Sequence, residues 1–167
     1  VRQVQDGGSP HPDESQDLTP HPDESQDLKR QVQDENKGEN DNANNQLSAF
    51  DAIEKITHYF STSQSGVIPK DTTSACKRLC MFLRWMVRDG SPVDLGLWSD
   101  IIQKRTLIMP LDTHVLQQAN RLGLIQSKNA TMATAIRLTN AVRDIFPNDP
   151  LKADFALFGY GVNDKQL

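Results

Sequence analysis

Ser74-Ala-Cys-Lys-Arg-Leu-Cys-Met-Phe-Leu-Arg-Trp-Met-Val-Arg88 is the strongest helical pattern in this 167-residue chain. Ala75, Leu79, Phe82, Leu83 and Met86 recur at three- and four-residue intervals, the spacing of one buried helix face. Thr72 or Thr73 can cap its start. Lys77, Arg84 and Arg88 follow at i, i+7 and i+11, within about 40° of one another at roughly 100° per residue. The reading predicts an amphipathic helix over 74–88 that offers these three as one charged face.

Working outward, helix signals repeat on both sides. Ser48 caps a helix with Ala49, Ala52, Ile53, Ile56 and Phe60 on one face, and Asp51 stands at its N3 position. After the Asp89-Gly-Ser-Pro92 stop, Val93 to Ile102 reads as a short helix. Pro110 bars a helix running through Leu107 to Leu111, which makes Asp112 the natural cap for Thr113 to Leu122, with Gly123 at C′. Met132 to Phe146 is amphipathic, with Ala135, Leu138, Val142 and Ile145 inward. Asp149-Pro150 then opens a last helix through Phe155 and Phe158 to Gly159. No convincing period-2 strand interrupts this order, so the fold class is all-α.

The first 46 residues read differently. They hold 4 Lys or Arg against 11 Asp or Glu, a net of −7, while the 14 against 11 from Leu47 onward give +3. All the aromatic residues lie after Gln46. The block Pro10-His-Pro-Asp-Glu-Ser-Gln-Asp-Leu18 recurs as Pro20 to Leu28, and Arg2 to Asp6 recurs as Arg30 to Asp34. A ten-residue polar period can form no buried stripe, so 1–46 is expected to be a disordered acidic tail and 47–167 the folded domain. His11 and His21 lack an apolar shell that would fix them as metal ligands, and no metal site is expected. No run of about 18 apolar residues points to a membrane span. Cys76 and Cys80, four apart on one helix, suit reduced thiols better than a disulfide framework, which places the chain in a reducing, cytoplasmic compartment.

Three blocks carry a resemblance: 74–88, Met109-Pro-Leu-Asp-Thr-His-Val115 and Asp154-Phe-Ala-Leu-Phe-Gly-Tyr-Gly-Val162. The second resembles the Val-Asp-Thr-His-Val element of the helix-hairpin-helix DNA glycosylases, the superfamily of endonuclease III. Together the blocks are most similar to a branch of that superfamily described only as a domain of unknown function, over about Leu47 to Val162. Members of that branch have helices ahead of the hairpin that the tail does not resemble.

The resemblance implies a glycosylase-like domain that binds double-stranded DNA, flips a nucleotide out and hydrolyses its N-glycosidic bond. Asp112 matches the aspartate that stabilises the cationic sugar, with Pro110, Thr113 and His114 as structural residues of the motif. Lys70, Lys77, Arg78, Arg84 and Arg88 are the expected phosphate contacts, within a stretch (70–137) of 10 basic and 5 acidic residues. Bifunctional members place a lysine just before a Thr-Ala pair. Counting back from Ser74-Ala75, that position holds Thr73, which argues against strand nicking. No cysteine follows Cys80, so no iron–sulfur cluster and no other cofactor is expected. The competing readings are a non-enzymatic nucleic-acid-binding relative and a helical protein-interaction domain. Trp85 and Trp98 read as core residues rather than base-stacking ones.

Deleting residues 1–46 should leave the melting temperature of the domain unchanged, since that segment has almost nothing to bury. A calorimetric loss of several degrees on deletion would show that the acidic segment docks.

Overall fold

The structure, a computed structural model, describes residue 30, residues 46–63 and residues 66–163, the last three as backbone only. The expected tail and its repeats lie outside the described residues, apart from residues 30 and 46. Among the described residues the helices in order are α1 (Ala49–Tyr59), α2 (Lys77–Val87), α3 (Thr113–Arg121), α4 (Met132–Arg143) and α5 (Lys152–Asn163), with a 3-10 turn at Lys104–Thr106. The described residues form no strand, only isolated bridges between Leu47 and Ile102 and between Ser74 and Thr131. The fold is all-α, and no described helix is long and apolar enough to cross a membrane.

Local chemistry explains most boundaries. Ser48 Oγ accepts from the Asp51 N–H at 3.1 Å and donates to its carboxylate at 2.7 Å, fixing the start of α1. Thr131 caps α4 by accepting from Thr134 N–H at 3.2 Å. At the end of α3, Gly123 takes a left-handed φ of 71°. Its N–H reaches the Asn120 carbonyl at 3.0 Å and the Leu124 N–H reaches Ala119 at 2.9 Å, the paired bonds of a Schellman motif.

Other boundaries differ from expectation. The second helix begins at Lys77, because Thr73 and Ala75 pair with the chain ahead of α4 instead. Ala75 N–H donates to the Ala130 carbonyl at 3.3 Å and Met132 N–H to the Thr73 carbonyl at 3.4 Å. Cys76, with φ at 46°, makes the sharp turn between that pairing and the helix, without a side-chain cap. Neither Thr72 nor Thr73 caps it.

Val93 to Ile102 is a series of turns rather than a helix. Its backbone is used to finish α2: Leu95 N–H donates to the Trp85 carbonyl at 2.6 Å and Trp98 N–H to Met86 at 2.7 Å. Gly96, at φ +64°, sits where a Cβ would meet Asp89 Cβ at 3.2 Å. Phe82 is half exposed and stacks edge-on to Trp98, with ring centroids 5.3 Å apart. Phe60 and Ile145, expected to face inward, are exposed, whereas Phe50 and Thr57 are buried. Trp98 packs against the core as expected, whereas Trp85 is largely exposed. The last helix runs past Gly159 to Asn163.

The core gathers Ile53 of α1, Leu83 of α2, Met132 and Leu138 of α4, and Leu151 just ahead of α5. Through it runs the extended segment 107–111, with every residue buried. An extended chain in a helical core needs partners for its backbone. Thr139 on α4 supplies one, accepting from Met109 N–H at 2.9 Å while donating to the Ala135 carbonyl at 2.7 Å.

The largest departure concerns charge. Arg84 and Arg88, expected on an outward face, are only 4% and 5% exposed. Arg88 forks onto Asp149, with Nε to Oδ1 at 3.0 Å and Nη2 to Oδ2 at 3.0 Å, and its Nη1 reaches Asp94 at 2.7 Å. Arg84 hydrogen-bonds Asp154 and stands 3.5 Å from Asp94 through Nε. Its guanidinium also lies 4.2 Å from the centroid of the Phe155 ring. Asp149, expected as a helix cap, spends its carboxylate on Arg88 instead, and α5 starts later, at Lys152.

Replacing Arg88 with alanine strands Asp94 and Asp149 in the interior, and should cost about 3–5 kcal/mol of unfolding free energy in a urea titration. Arg88→Lys should recover only part, because one ammonium cannot reproduce the fork. A loss under about 1 kcal/mol would show the network to be dispensable.

Candidate functional site

Asp112 sits where the buried 107–111 segment emerges to start α3. Pro110 is buried in that approach, and Thr113 and His114 are exposed on the first turn. The backbone of Asp112 is extended (φ −120°, ψ −177°), which is the geometry of a cap residue. Its Oδ1 accepts from Val115 N–H at 2.8 Å, so the expected capping role is present.

The second oxygen has a different partner. Lys77, the first residue of α2, donates from Nζ to Asp112 Oδ2 at 2.7 Å. The two side chains keep 49% and 30% exposure respectively, so the pair is at the surface and solvent reaches it. Partial burial pushes the Asp112 carboxyl up. The Lys77 hydrogen bond, the Val115 N–H and the nearby charges of Lys77 and His114 outweigh that and hold it below the usual carboxylate range. The result is an accessible, ionised carboxylate at a helix N-terminus with an amine against it.

Of the five expected phosphate contacts, the structure brings only Lys77 to Asp112. Arg84 and Arg88 are removed from the set, since both guanidinium groups are buried and spent on aspartates. The helical wheel placed the three cations on one face correctly, but beyond Lys77 that face turns into the domain. Arg78 is exposed and points back along the loop, with Nη1 3.5 Å from the carbonyls of Gly66 and Val67. Lys70 lies on the same loop, exposed, beside the last turns of α1.

Thr73, at the position counted for a Schiff-base lysine, is turned to Asp71. That carboxylate accepts its N–H at 3.0 Å and its hydroxyl at 2.6 Å. Asp94, Asp149 and Asp154 were missed as a group because each lies in a different segment. Their shared signal was the pair of arginines four residues apart, Arg84 and Arg88, inside an apolar stripe. Asp154 is close enough to sense Asp112: burial pushes its carboxyl up, Arg84 pulls it down, and the charge of Asp112 pushes it up again.

The cysteines offer no nucleophile. Both are free and buried. Burial pushes the Cys76 thiol up, against the lowering effect of Ser74, and pushes Cys80 up strongly. No cluster of three His, Cys, Asp or Glu side chains suited to a metal occurs among the described residues.

One family model matches the chain, over residues 17–163, and its description is "Protein of unknown function (DUF2400)". The match spans the whole helical domain and begins at Asp17, inside the segment read from sequence as tail. No curated protein and no solved structure matches.

The Lys77–Asp112 pair makes stability depend on acid. A carboxyl lowered in the folded state stabilises above its unfolded value, near 3.9, and that contribution disappears as pH falls through the lowered folded value. Asp112→Asn keeps the cap and loses only the ion pair, so it should cost at most about 1 kcal/mol at pH 7. The difference from the parent should shrink as pH falls through the lowered folded value and vanish below it. Asp112→Ala, which loses the cap as well, should cost about 0.5–2 kcal/mol more. Denaturation at pH 7 and pH 3 checks both, and a pH-independent gap for the asparagine variant would refute the pairing.

Proposed function

The chain belongs to the DUF2400 family, and for this member of it we propose a DNA-binding domain of the base-excision type, acting as a monofunctional glycosylase. The observation that carries the reading is Asp112: ionised, accessible, and held at the N-terminus of α3 within Met109-Pro-Leu-Asp-Thr-His-Val115. That motif resembles the glycosylase element in which such an aspartate faces the sugar.

The chemistry is hydrolysis. The bond between the sugar C1′ and the base nitrogen breaks, the electron pair leaves with the base, and water adds at C1′ while its proton ends on the departed base. Positive charge builds on the sugar in between, and a fixed carboxylate beside it lowers the barrier. The Val115 N–H and the Lys77 ammonium fix Asp112 in advance, so it needs no reorganisation when that charge appears. Lys70, Lys77 and Arg78 remain as the phosphate-facing cations of the reading, and no cofactor is assigned. Two buried free thiols suit the reducing, cytoplasmic compartment that goes with it.

One observation favours a strand-nicking form of the same reading. The amine against Asp112 is that of Lys77, one residue into α2, not a side chain at position 73. Attack of that amine at C1′ would break the bond to the base, which leaves with the electron pair and takes up the amine's proton. Opening of the C1′–O4′ bond then gives a Schiff base that borohydride reduces to a stable adduct, and loss of a C2′ proton with departure of the 3′ phosphate nicks the strand.

A panel of lesion-bearing duplexes, scored for base release, tests the proposal. Asp112→Asn should slow release by roughly a hundred- to a thousandfold, about 2.7–4 kcal/mol, with duplex affinity little changed. Borohydride should trap no adduct with the parent. A trapped adduct that Lys77→Ala abolishes would replace the monofunctional reading with the strand-nicking one. Duplex binding without any release would leave a nucleic-acid-binding relative, and no binding at low salt would leave a protein-interaction domain.

A further inference from the structure

Helix α2 has a second face that the core does not use. Its buried side runs through Leu79, Leu83 and Val87, with Arg84 beside them. At roughly 100° per residue, Met81, Phe82, Trp85 and Met86 fall on the outward side, within about 140° of one another. Phe82 and Trp85 are exposed there, and the two methionines are half-buried.

The turns after the helix widen that face. Leu95 N–H donates to the Trp85 carbonyl and Trp98 N–H to that of Met86, which lays this segment along the end of α2. Leu95 and Leu97 are 64% and 68% exposed. Single exposed apolar residues are ordinary on a protein surface. Two aromatic rings, two methionines and two leucines side by side are the composition of a face that binds protein.

The chain ahead of the domain enters close by. Gln46 Nε2 donates to the Ser99 carbonyl at 3.0 Å, and Leu47 N–H to that of Ile101 at 2.8 Å. Residues 1–46 are poorly suited to cover the face, because their branched apolar side chains are three valines and two leucines and their net charge is −7.

We infer that the outward face of α2 is the interface of a two-fold dimer of this chain. A two-fold axis across the middle of α2 makes the paired helices antiparallel. Phe82 then stands opposite the partner's Trp85, and Met81 opposite the partner's Met86. The same axis sets Arg78, at the N-terminal end of the outward arc, opposite the partner's Asp89. Arg78 makes no ion pair among the described residues, and its Nη1 meets two carbonyls at 3.5 Å. Asp89 is exposed beside Lys104 and borders the two leucines, since a Cβ on Gly96 would meet Asp89 Cβ at 3.2 Å. One rotation therefore joins apolar groups to apolar groups and cation to carboxylate, the self-complementarity that a two-fold interface requires. The inference goes beyond the proposed function and does not rest on it. Arg78 contributes to the rim of the interface, not to its apolar centre.

Sedimentation of the full chain over a range of concentrations, without nucleic acid, tests the dimer. A reversible monomer–dimer equilibrium is expected. Trp85→Asp places a charge at an exposed site, so the thermal midpoint should hold while the dimer dissociation constant rises by roughly tenfold or more. A chain that stays monomeric, one that grows past two copies, or a Trp85→Asp variant that dimerises like the parent would overturn the inference. Dimerisation that appears only once residues 1–46 are removed would also overturn it, and would give the face to that segment.

The register has its own test. Arg78→Asp and Asp89→Arg should each weaken self-association, and mixing the two variants should restore it, because both rim pairs are then opposite in sign. A mixture that associates no better than its components would overturn the two-fold arrangement.

Discussion

Two guanidinium groups buried among three carboxylates hold this domain in register. Arg84 and Arg88 come from one helix, but Asp94, Asp149 and Asp154 come from the loop after α2, the turn before α5 and α5 itself. Each charge is expensive to remove from water, so the cost is offset only when all the partners arrive together. That requirement fixes where the 91–97 loop lies on α2 and where α5 begins. Burial pushes the Asp154 carboxyl upward, against the pull of Arg84. The Phe155 ring covers the Arg84 side of the cluster.

The second organising element is the buried extended segment 107–111. A helical core accepts such a segment only if its backbone finds donors and acceptors, and Thr139 provides for Met109. Because Leu107 to Leu111 is anchored along its length, Asp112 emerges at a defined place. Helices α3 and α5 pack together beside it, with the Arg121 guanidinium 5.7 Å from the Tyr160 ring centroid. Asp112 thus stands between two fixed bodies, the N-terminus of α3 that it caps and the first residue of α2 that it pairs with. The Asp112 carboxylate is positioned by packing and kept ionised by its neighbours.

Legibility in the sequence varied with the range of the interaction. Ser48, Asp112 and Gly123 were readable because a cap depends on two or three adjacent residues, and each adopts the conformation its chemistry favours. The all-α class followed from repeated helical spacing. The 93–102 segment was misread, since its helical pattern competes with a better use of its N–H groups on the open carbonyls of α2. The start of α2 was misplaced for the same kind of reason: Thr73 and Ala75 pair with residues more than fifty positions away.

Arg84 and Arg88 mark the boundary most clearly. Periodicity correctly put them on one face with Lys77, yet it carries no information on which face meets an aspartate from a distant segment. Charge suggested solvent, and Asp94, Asp149 and Asp154 reversed that. The sequence by itself determined the all-α class, the boundaries at Ser48 and Gly123 and the helix-starting role of Asp112, because these are set by bonds within a few residues. Only the tertiary structure decided that Lys77 is the partner of Asp112 and that two expected surface cations are buried. Those facts depend on which segments meet in space, where the burial of charge and apolar surface outweighs local preference.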